Sequence, residues 1–210
     1  MATSRRRAPI LGAVLAVLVA SATVAVALAT GAGARHDSPA RASATSPGAI
    51  IAGLGPEPAP SGWPSATIAS GFATIPYPRG WQAIAGDRGT VSFALRDRAG
   101  HYLGYLNVTP HQGGEQLSSW ARFRLGRNRG EGDRNVALLA SRRGVPFAGA
   151  RGTCVIDDYS SRVGANPYRE LACLVRGRRS ASVLVASALR PDWARIAPLL
   201  VASTAAFVER

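Results

Sequence analysis

A long apolar segment near the N-terminus most constrains what this chain can fold into. Residues 10–29 are twenty consecutive uncharged residues, and they follow the basic cluster Arg5, Arg6 and Arg7. A helix rises about 1.5 Å per residue, so this segment matches the roughly 30 Å hydrocarbon core of a bilayer. Because flanking basic residues stay on the cytoplasmic side, the segment predicts that the rest of the chain folds outside the cytoplasm.

The apolar segment has two interpretations. Its length exceeds the usual h-region of a signal peptide, which favours a retained single-pass helix with its N-terminus inside. Small residues at Ala27 and Ala29, and at Ala32 and Ala34, nonetheless fit signal cleavage sites. We therefore expect residues 1–34 to be a signal peptide or a membrane anchor. In the first case the protein is secreted, and in the second it is held at the cell membrane.

Residues 35–70 are rich in Pro, Ala, Ser and Gly and show little periodicity. Such a composition buries too little apolar surface to offset the entropy of ordering, so it predicts a disordered linker. The short apolar run at 49–52 is either a contact with the membrane or the domain or, as we favour, incidental. The remaining residues, 71–210, have the length of one domain.

The charge of the chain limits its partners. All 25 basic residues are arginines, and the formal net charge is +13. Twenty arginines and ten acidic residues lie in 66–210, so the domain itself carries +10. This favours anionic lipid headgroups, acidic wall polymers or an acidic protein face as partners. Nucleic acid suits the charge but not the expected compartment.

One arginine-rich patch stands out at a predicted helix over 115–125 and its exit loop. A solvated cationic surface and a docking site for an anionic partner are both open interpretations. The patch consists of Arg122, Arg124, Arg127, Arg129 and Arg134.

The order of elements predicts an α+β fold. Alternating apolar residues bounded by Gly and Pro indicate strands between 72 and 110 and again between 136 and 189. A helix separates the two groups, and Pro191 opens a terminal helix. We expect one mostly antiparallel β-sheet flanked by helices, preceded by the N-terminal hydrophobic helix.

The only two cysteines lie within two adjacent predicted strands. If these strands form one hairpin centred near Val163 and Gly164, Cys154 faces Cys173 directly. We predict a disulfide between them, which in an oxidising compartment stabilises the fold by roughly 3 kcal/mol. A redox pair is disfavoured because no CxxC motif exists, and two buried free thiols are the other alternative.

The same pairing places Asp157 opposite Glu170, with Tyr159 and Tyr168 beside them. Like charges directly opposed across a sheet are destabilising. Arginines on a solvated face could neutralise the pair. Alternatively, the two carboxylates bind a cation or perform acid–base chemistry with one raised pKa.

Catalytic motifs are absent from the sequence. The chain has three histidines, His36, His101 and His111, and contains no HExxH motif, GxSxG elbow or P-loop. We therefore predict no enzyme activity, no cofactor and no metal site.

Several of these sequence features together resemble a known fold family. The chain resembles the Mog1/PsbP-like fold over residues 70–207, and in particular small exported actinobacterial LpqN-like proteins. The residues that carry the resemblance are Gly71-Phe72, Tyr77-Pro78-Arg79-Gly80-Trp81, a helix like Leu117-Ser118-Ser119-Trp120-Ala121, and a closing helix from Asp192-Trp193 to Phe207. The resemblance implies a sheet between helices, serving as a binding or assembly module. This chain lacks the lipid-attachment cysteine of such lipoproteins.

The predicted function is therefore an exported or membrane-anchored, non-enzymatic binding module of the cell envelope. Its partner would be an acidic envelope component or a membrane protein. The alternative is a hydrolase or metal-binding enzyme that uses Asp157 and Glu170.

Overall fold

A seven-stranded antiparallel sheet forms the centre of the molecule. The structure is a computed structural model that describes residues 46–210. Its strands are β1 (Ser65–Thr67), β2 (Ala73–Pro76), β3 (Gln82–Ala83), β4 (Val91–Arg96), β5 (Tyr102–Pro110), β6 (Arg134–Phe147), β7 (Ala150–Ser160), β8 (Pro167–Arg176), β9 (Ala181–Leu189) and β10 (Val208–Glu209). The large sheet has the order β3-β4-β5-β9-β8-β7-β6, and β1, β2 and β10 form a small second sheet.

Within residues 46–210, three α-helices accompany the sheets: α1 (Pro47–Gly53), α2 (Trp120–Gly130) and α3 (Trp193–Ala205). A 3-10 turn, Arg190–Asp192, leads into α3. Hairpins connect β4 to β5 and β7 to β8, as the sequence predicts. The predicted α+β class, a mostly antiparallel sheet flanked by helices, is confirmed for the described residues.

Each face of the large sheet has its own core. Side chains that alternate along a strand point to opposite faces. Ile156, Leu171 and Leu184 belong to the larger core, which also contains residues of α1 and α3. Their neighbours Val155 and Ala172 pack instead with Trp120 of α2. The sheet therefore lies between α2 on one face and α1 with α3 on the other.

The β7–β8 hairpin has the predicted register. Cys154 pairs with Cys173 and the two form a disulfide, so this prediction is confirmed. Both cysteines are fully buried in the larger core. The bridge ties together β7 and β8, the two strands that also carry Asp157 and Glu170.

The predicted linker 35–70 is wrong for the part that the structure describes. Residues 47–53 form α1, in which Ile50 and Ile51 are buried in the larger core. Ser46 caps the helix by accepting a hydrogen bond from the backbone N–H of Ala49, and Pro47 occupies the first turn, where it is tolerated. Ile50 and Ile51 of the apolar run 49–52 are the buried side of this helix, so the run is not incidental, whereas Ala49 and Ala52 are exposed.

A distant arginine holds the end of α1 in place. The Arg142 guanidinium donates to the carbonyl oxygens of Ile51, Ala52 and Leu54 at 3.2, 2.8 and 3.1 Å. These carbonyls include groups that a helix C-terminus leaves without intrahelical partners. Because Arg142 lies on β6, about ninety residues later, no local pattern could reveal this contact.

Two elements differ in length from the sequence prediction. Helix α2 starts at Trp120 rather than near residue 115, and it continues past Gly126 to Gly130. The Cβ position at Gly126 is open, so that glycine costs propensity without blocking the helix. Strand β6 covers fourteen residues instead of four, because bulges absorb the irregular stretch around Arg143.

The predicted leader, residues 1–34, lies outside the described residues, as does the start of the predicted linker. Within residues 46–210, no helix combines the length and apolar character that a membrane crossing requires.

Candidate functional site

A polar cavity lies on the α2 face of the large sheet. Its volume is about 320 Å³, and its lining includes residues of α2, β5, β7, β8 and β9. The side chains that matter below are Tyr105, Asn107, Gln112, Phe123, Arg124 and Glu170. Since binding cavities commonly combine apolar walls with a few placed polar groups, this is the candidate site.

A buried ion pair forms one wall of the cavity. Arg124 donates from Nε and Nη2 to the two carboxylate oxygens of Glu170, at 2.5 and 2.8 Å. Glu170 is fully buried and Arg124 is 15% exposed. A bidentate pair of this kind combines charge with fixed geometry. It holds the helix against β8.

One oxygen of the neighbouring Asp157 carboxyl group also accepts a hydrogen bond from α2. Asn128 donates from Nδ2 to Oδ2 of Asp157 at 3.0 Å, and both residues are buried. Asp157 lies directly opposite Glu170 in the β7–β8 ladder, as the sequence predicts. Its Oδ1 is buried and accepts no hydrogen bond from residues 46–210.

The electrostatics of the pair follow from its burial. Burial, and then the charge of Glu170, raise the pKa of Asp157 to about 9. The carboxyl group of Asp157 therefore stays neutral at neutral pH. Burial disfavours the charged form of Arg124, but Glu170 outweighs that effect and raises the pKa of Arg124. A neutral Asp157 and an ion-paired Glu170 leave the cluster with no net charge.

The interpretation of a solvated face around Asp157 and Glu170 is therefore wrong, although the predicted compensation by arginine is correct. Helix α2 covers both carboxyl groups, because its inward side bears Trp120, Arg124 and Asn128 at successive positions four apart. Residues at this spacing share one face of a helix. That spacing was readable in the sequence, so the inward direction of Arg124 and Asn128 could have been predicted.

The predicted arginine patch does not form one free cationic surface. Arg124 points inward to Glu170, Arg127 pairs with Glu131, and Arg129 donates to the backbone carbonyl of Val136. Arg122 and Arg134 are exposed and make no ion pair with residues 46–210. The four arginines of α2 are separated because a helix turns successive side chains to different sides, and Arg134 lies beyond the helix at the start of β6.

Two of the other three carboxylates of the cavity, those of Glu115 and Glu131, are already engaged, whereas the exposed Asp87 makes no side-chain ion pair with residues 46–210. Glu115 accepts hydrogen bonds from the backbone N–H groups of Gln112 and Gly114, at 3.2 and 3.0 Å. Glu131 is held by Arg127. These groups shape the cavity, but their lone pairs are largely occupied.

Strand β5 supplies groups that sequence reasoning missed. Tyr105 and Asn107 lie on the α2 face of the sheet, two residues apart, and both line the cavity. Burial raises the pKa of Tyr105, so its hydroxyl stays neutral. The signal was available: β5 alternates apolar residues with polar ones, and the polar set marked the face opposite the larger core.

Residues 46–210 contain no cluster of side chains that could bind a metal ion. Within residues 46–210, no group of three or more His, Cys, Asp or Glu side chains lies close enough to hold a metal ion. Asp157 and Glu170 are two such groups, and Arg124 already occupies the oxygens of Glu170.

Comparisons with known proteins yield similar structures only. No protein-family model matches the chain, and no curated protein matches it. A protein from Bacteroides thetaiotaomicron is 13% identical over 70% of this chain, with a TM-score of 0.45. This chain spans about half of that protein, or 48%.

Two further similar structures come from classes that the sequence resembles. PsbP from the cyanobacterium Synechocystis sp. PCC 6803 is 19% identical, with a TM-score of 0.47, over 70% of this chain and 92% of that one. LpqN of Mycobacterium tuberculosis, described as involved in cell envelope biogenesis, is 11% identical, with a TM-score of 0.40, over 70% and 85%. At these low values, neither structure transfers a residue role to this chain. The chain is similar to PsbP-like and LpqN-like proteins in the arrangement of its helices and strands.

Proposed function

We propose that the protein is a non-enzymatic binding module that works outside the cytoplasm, in the cell envelope, and that the α2 cavity is its ligand site. The observation that carries this proposal is the cavity itself: polar groups on rigid strands and a helix, held in place before any ligand arrives. Preorganised groups lower the entropy cost of binding. The buried disulfide between Cys154 and Cys173 supports a location where thiols are oxidised.

The engaged state of three of the four carboxylates that line the cavity supports binding rather than catalysis. A general base or nucleophile must aim a free lone pair at its substrate. In the cavity, Glu170 is committed to Arg124, Glu131 to Arg127, and Glu115 to backbone N–H groups. The groups that remain available to a ligand are the carboxylate of the exposed Asp87 and the amide, hydroxyl and aromatic groups.

The free groups favour a small polar ligand. Asn107, Thr109 and Gln112 offer hydrogen bonds, while the rings of Tyr105 and Phe123 offer partly exposed apolar surface. Sugars and short peptides of the cell wall carry the matching hydroxyl and amide groups. A wall fragment is therefore our proposed ligand class, with an acidic component or a membrane protein as a further partner of the cationic domain.

The alternative function is a hydrolase that uses Asp157 and Glu170. Its supporting observation is the raised pKa of Asp157, which suits a general acid. Against it, Asp157 is fully buried and does not line the cavity. A substrate could not reach its proton without displacing α2.

Attachment to the envelope depends on the leader. Retention of residues 10–29 would anchor the domain at the membrane, and cleavage after Ala29 or Ala34 would release it. The intact mass of the native protein separates these two cases.

Blocking the cavity tests the proposal. We expect Gln112→Trp to abolish binding of soluble peptidoglycan fragments, measured by calorimetry, because the indole fills the cavity. Gln116→Trp is the matched control: Gln116 is also exposed, four residues away, and does not line the cavity. Equal binding by both variants would contradict the proposed site. Hydrolysis of the fragments that disappears in Asp157→Asn/Glu170→Gln would instead favour the enzyme.

A further inference from the structure

A second charged region lies at one end of the large sheet, around the turn between β8 and β9. We call it the arginine end and define it by five exposed arginines: Arg151, Arg176, Arg178, Arg179 and Arg210. Arg151 and Arg176 are direct cross-strand partners in the β7–β8 ladder. Their side chains therefore extend from the same face of the sheet.

No acidic side chain among the described residues, 46–210, neutralises the arginine end. None of its five guanidinium groups makes an ion pair or a hydrogen bond with the part of the chain from residue 46 onward. The nearby carboxyl group of Glu209 is fully buried, and burial raises its pKa. Its Oε1 lies 2.5 Å from the hydroxyl of Ser180. Glu209 thus supports the turn from inside and offers little charge to the surface.

Two shallow cavities flank this turn. One has a volume of about 540 Å³, is lined by Arg176 and also contains His111. The other has a volume of about 690 Å³ and is lined by Arg210. Arg178 and Arg179 line both. A ligand in either cavity would meet at least three guanidinium groups.

The turn is ordered before any ligand binds. Its backbone closes through a hydrogen bond from the N–H of Gly177 to the carbonyl of Ser180, at 2.9 Å. The Arg179 guanidinium lies over the ring of Phe72, 5.3 Å from the ring centre. The Ser180 hydroxyl lies 2.7 Å from the carbonyl oxygen of Arg210, which joins the turn to the end of β10. These contacts limit the side-chain and backbone entropy that binding would have to remove.

We propose that the arginine end is a binding site for phosphate groups, separate from the α2 cavity. Several guanidinium groups without a partner repel one another, and a multivalent oxyanion removes that repulsion. Guanidinium forks match the oxygens of phosphate with paired hydrogen bonds. The cavities are large enough for a diphosphate or for the phosphate of a lipid headgroup. Both sources present the same chemistry to the site.

Charge reversal at the turn tests this site. The variant Arg178→Glu/Arg179→Glu is compared with Arg88→Glu/Arg98→Glu, which makes the same change in net charge at exposed positions that line none of these cavities. The soluble probe is inorganic pyrophosphate, followed by calorimetry at physiological salt. The lipid probe is vesicles of phosphatidylcholine with and without phosphatidylglycerol, followed by sedimentation.

We expect pyrophosphate, phosphatidylglycerol vesicles or both to bind the unchanged protein. The turn variant should weaken that binding about tenfold or more, and the control by less than about twofold. Binding of pyrophosphate alone identifies a soluble source, and binding of the vesicles alone identifies a lipid. Binding of neither probe, or equal loss in the two variants, overturns the proposal. Peptidoglycan binding at the α2 cavity should be unchanged in the turn variant. The proposals for the two sites are therefore tested independently of each other.

Discussion

The β7–β8 hairpin carries two pairs of opposed like residues, one acidic and one basic. The fold compensates the acidic pair with side chains of α2, whereas the basic pair is left exposed to solvent. Asp157 and Glu170 face each other in the middle of the β7–β8 ladder, where both are fully buried. Arg151 and Arg176 face each other at the end of the same ladder, where both are exposed. The first pair meets Arg124 and Asn128 of α2. The second meets no acidic group within residues 46–210.

The difference shows that burial decides whether a charge must be neutralised by the protein itself or can be screened by solvent. An unpaired buried charge costs several kcal/mol, so the fold itself must neutralise Asp157 and Glu170. Water and salt screen exposed charges, so Arg151 and Arg176 can remain without an acidic partner among residues 46–210. Uncompensated charge on a rigid surface is therefore the feature that points to an outside ligand, whereas the more conspicuous buried pair is structural.

Among the variants that test this difference, removal of the buried arginine should change stability most. We expect Arg124→Met to lower the free energy of unfolding by about 3–5 kcal/mol, since it leaves the Glu170 carboxylate buried without its partner. Urea denaturation measures the loss. Adding Glu170→Gln to this variant should recover much of it.

The matched control for that experiment is Arg122→Met. Arg122 lies on the same helix but is exposed, and it should change stability by less than about 0.5 kcal/mol. If the two single variants were equally stable, the ion pair would not hold α2 against the sheet.

Removing the ionisable group at Asp157 should have a smaller effect of opposite sign. The folded-state pKa of Asp157, about 9, lies above its ordinary value of 3.8. The folded protein therefore keeps a proton that the unfolded chain releases, so this contribution to stability is complete below about pH 4 and is lost as the pH rises toward 9. Asp157→Asn retains an acceptor and a donor but never ionises. We expect it to be more stable than the unchanged protein at pH 8, on the order of 1–3 kcal/mol, with the advantage disappearing near pH 4.

Melting curves across this pH range are the measurement for Asp157→Asn. Asp97→Asn is the control, because the backbone N–H of His101 lowers the pKa of the exposed Asp97. That control should gain no stability as the pH rises. An Asp157→Asn curve parallel to that of the unchanged protein would show that Asp157 is ionised in the fold.

The exposed pair should give the smallest effect. We expect Arg151→Glu to raise the free energy of unfolding at low salt by about 0.2–1 kcal/mol, because it places opposite charges across the ladder. High salt should remove the gain. Melting temperatures at low and high salt, with Arg151→Gln as the uncharged control, measure it. A lower melting temperature for Arg151→Glu at low salt would mean that the two side chains do not interact as opposed partners.

Local patterns were sufficient where contacts are close in sequence. The β7–β8 hairpin, its register and the disulfide follow from alternation around one turn, because each residue and its partner share that turn. Helix α1 could not be recognised in the same way. Seven residues bounded by prolines and glycines have weak helical propensity, and α1 depends on burial of Ile50 and Ile51 and on the contacts of Arg142.

In the candidate site, too, local patterns predicted some features, whereas others depend on contacts between distant segments. Asp157 and Glu170 were identified as an unusual pair from their register, but their burial was not, because the residues that cover them come from α2. The direction of Arg124 could have been inferred from its spacing to Trp120. The cavity beside them could not, because it exists only where α2 leaves part of the sheet uncovered.

The sequence by itself determined the antiparallel hairpin, the position of the disulfide, the α+β class and the excess of arginine. Each depends on composition or on neighbours that a short turn brings together. Only the tertiary structure decided which arginines are neutralised and which remain free. That distinction depends on burial, and burial arises when segments far apart in the chain pack against the same sheet.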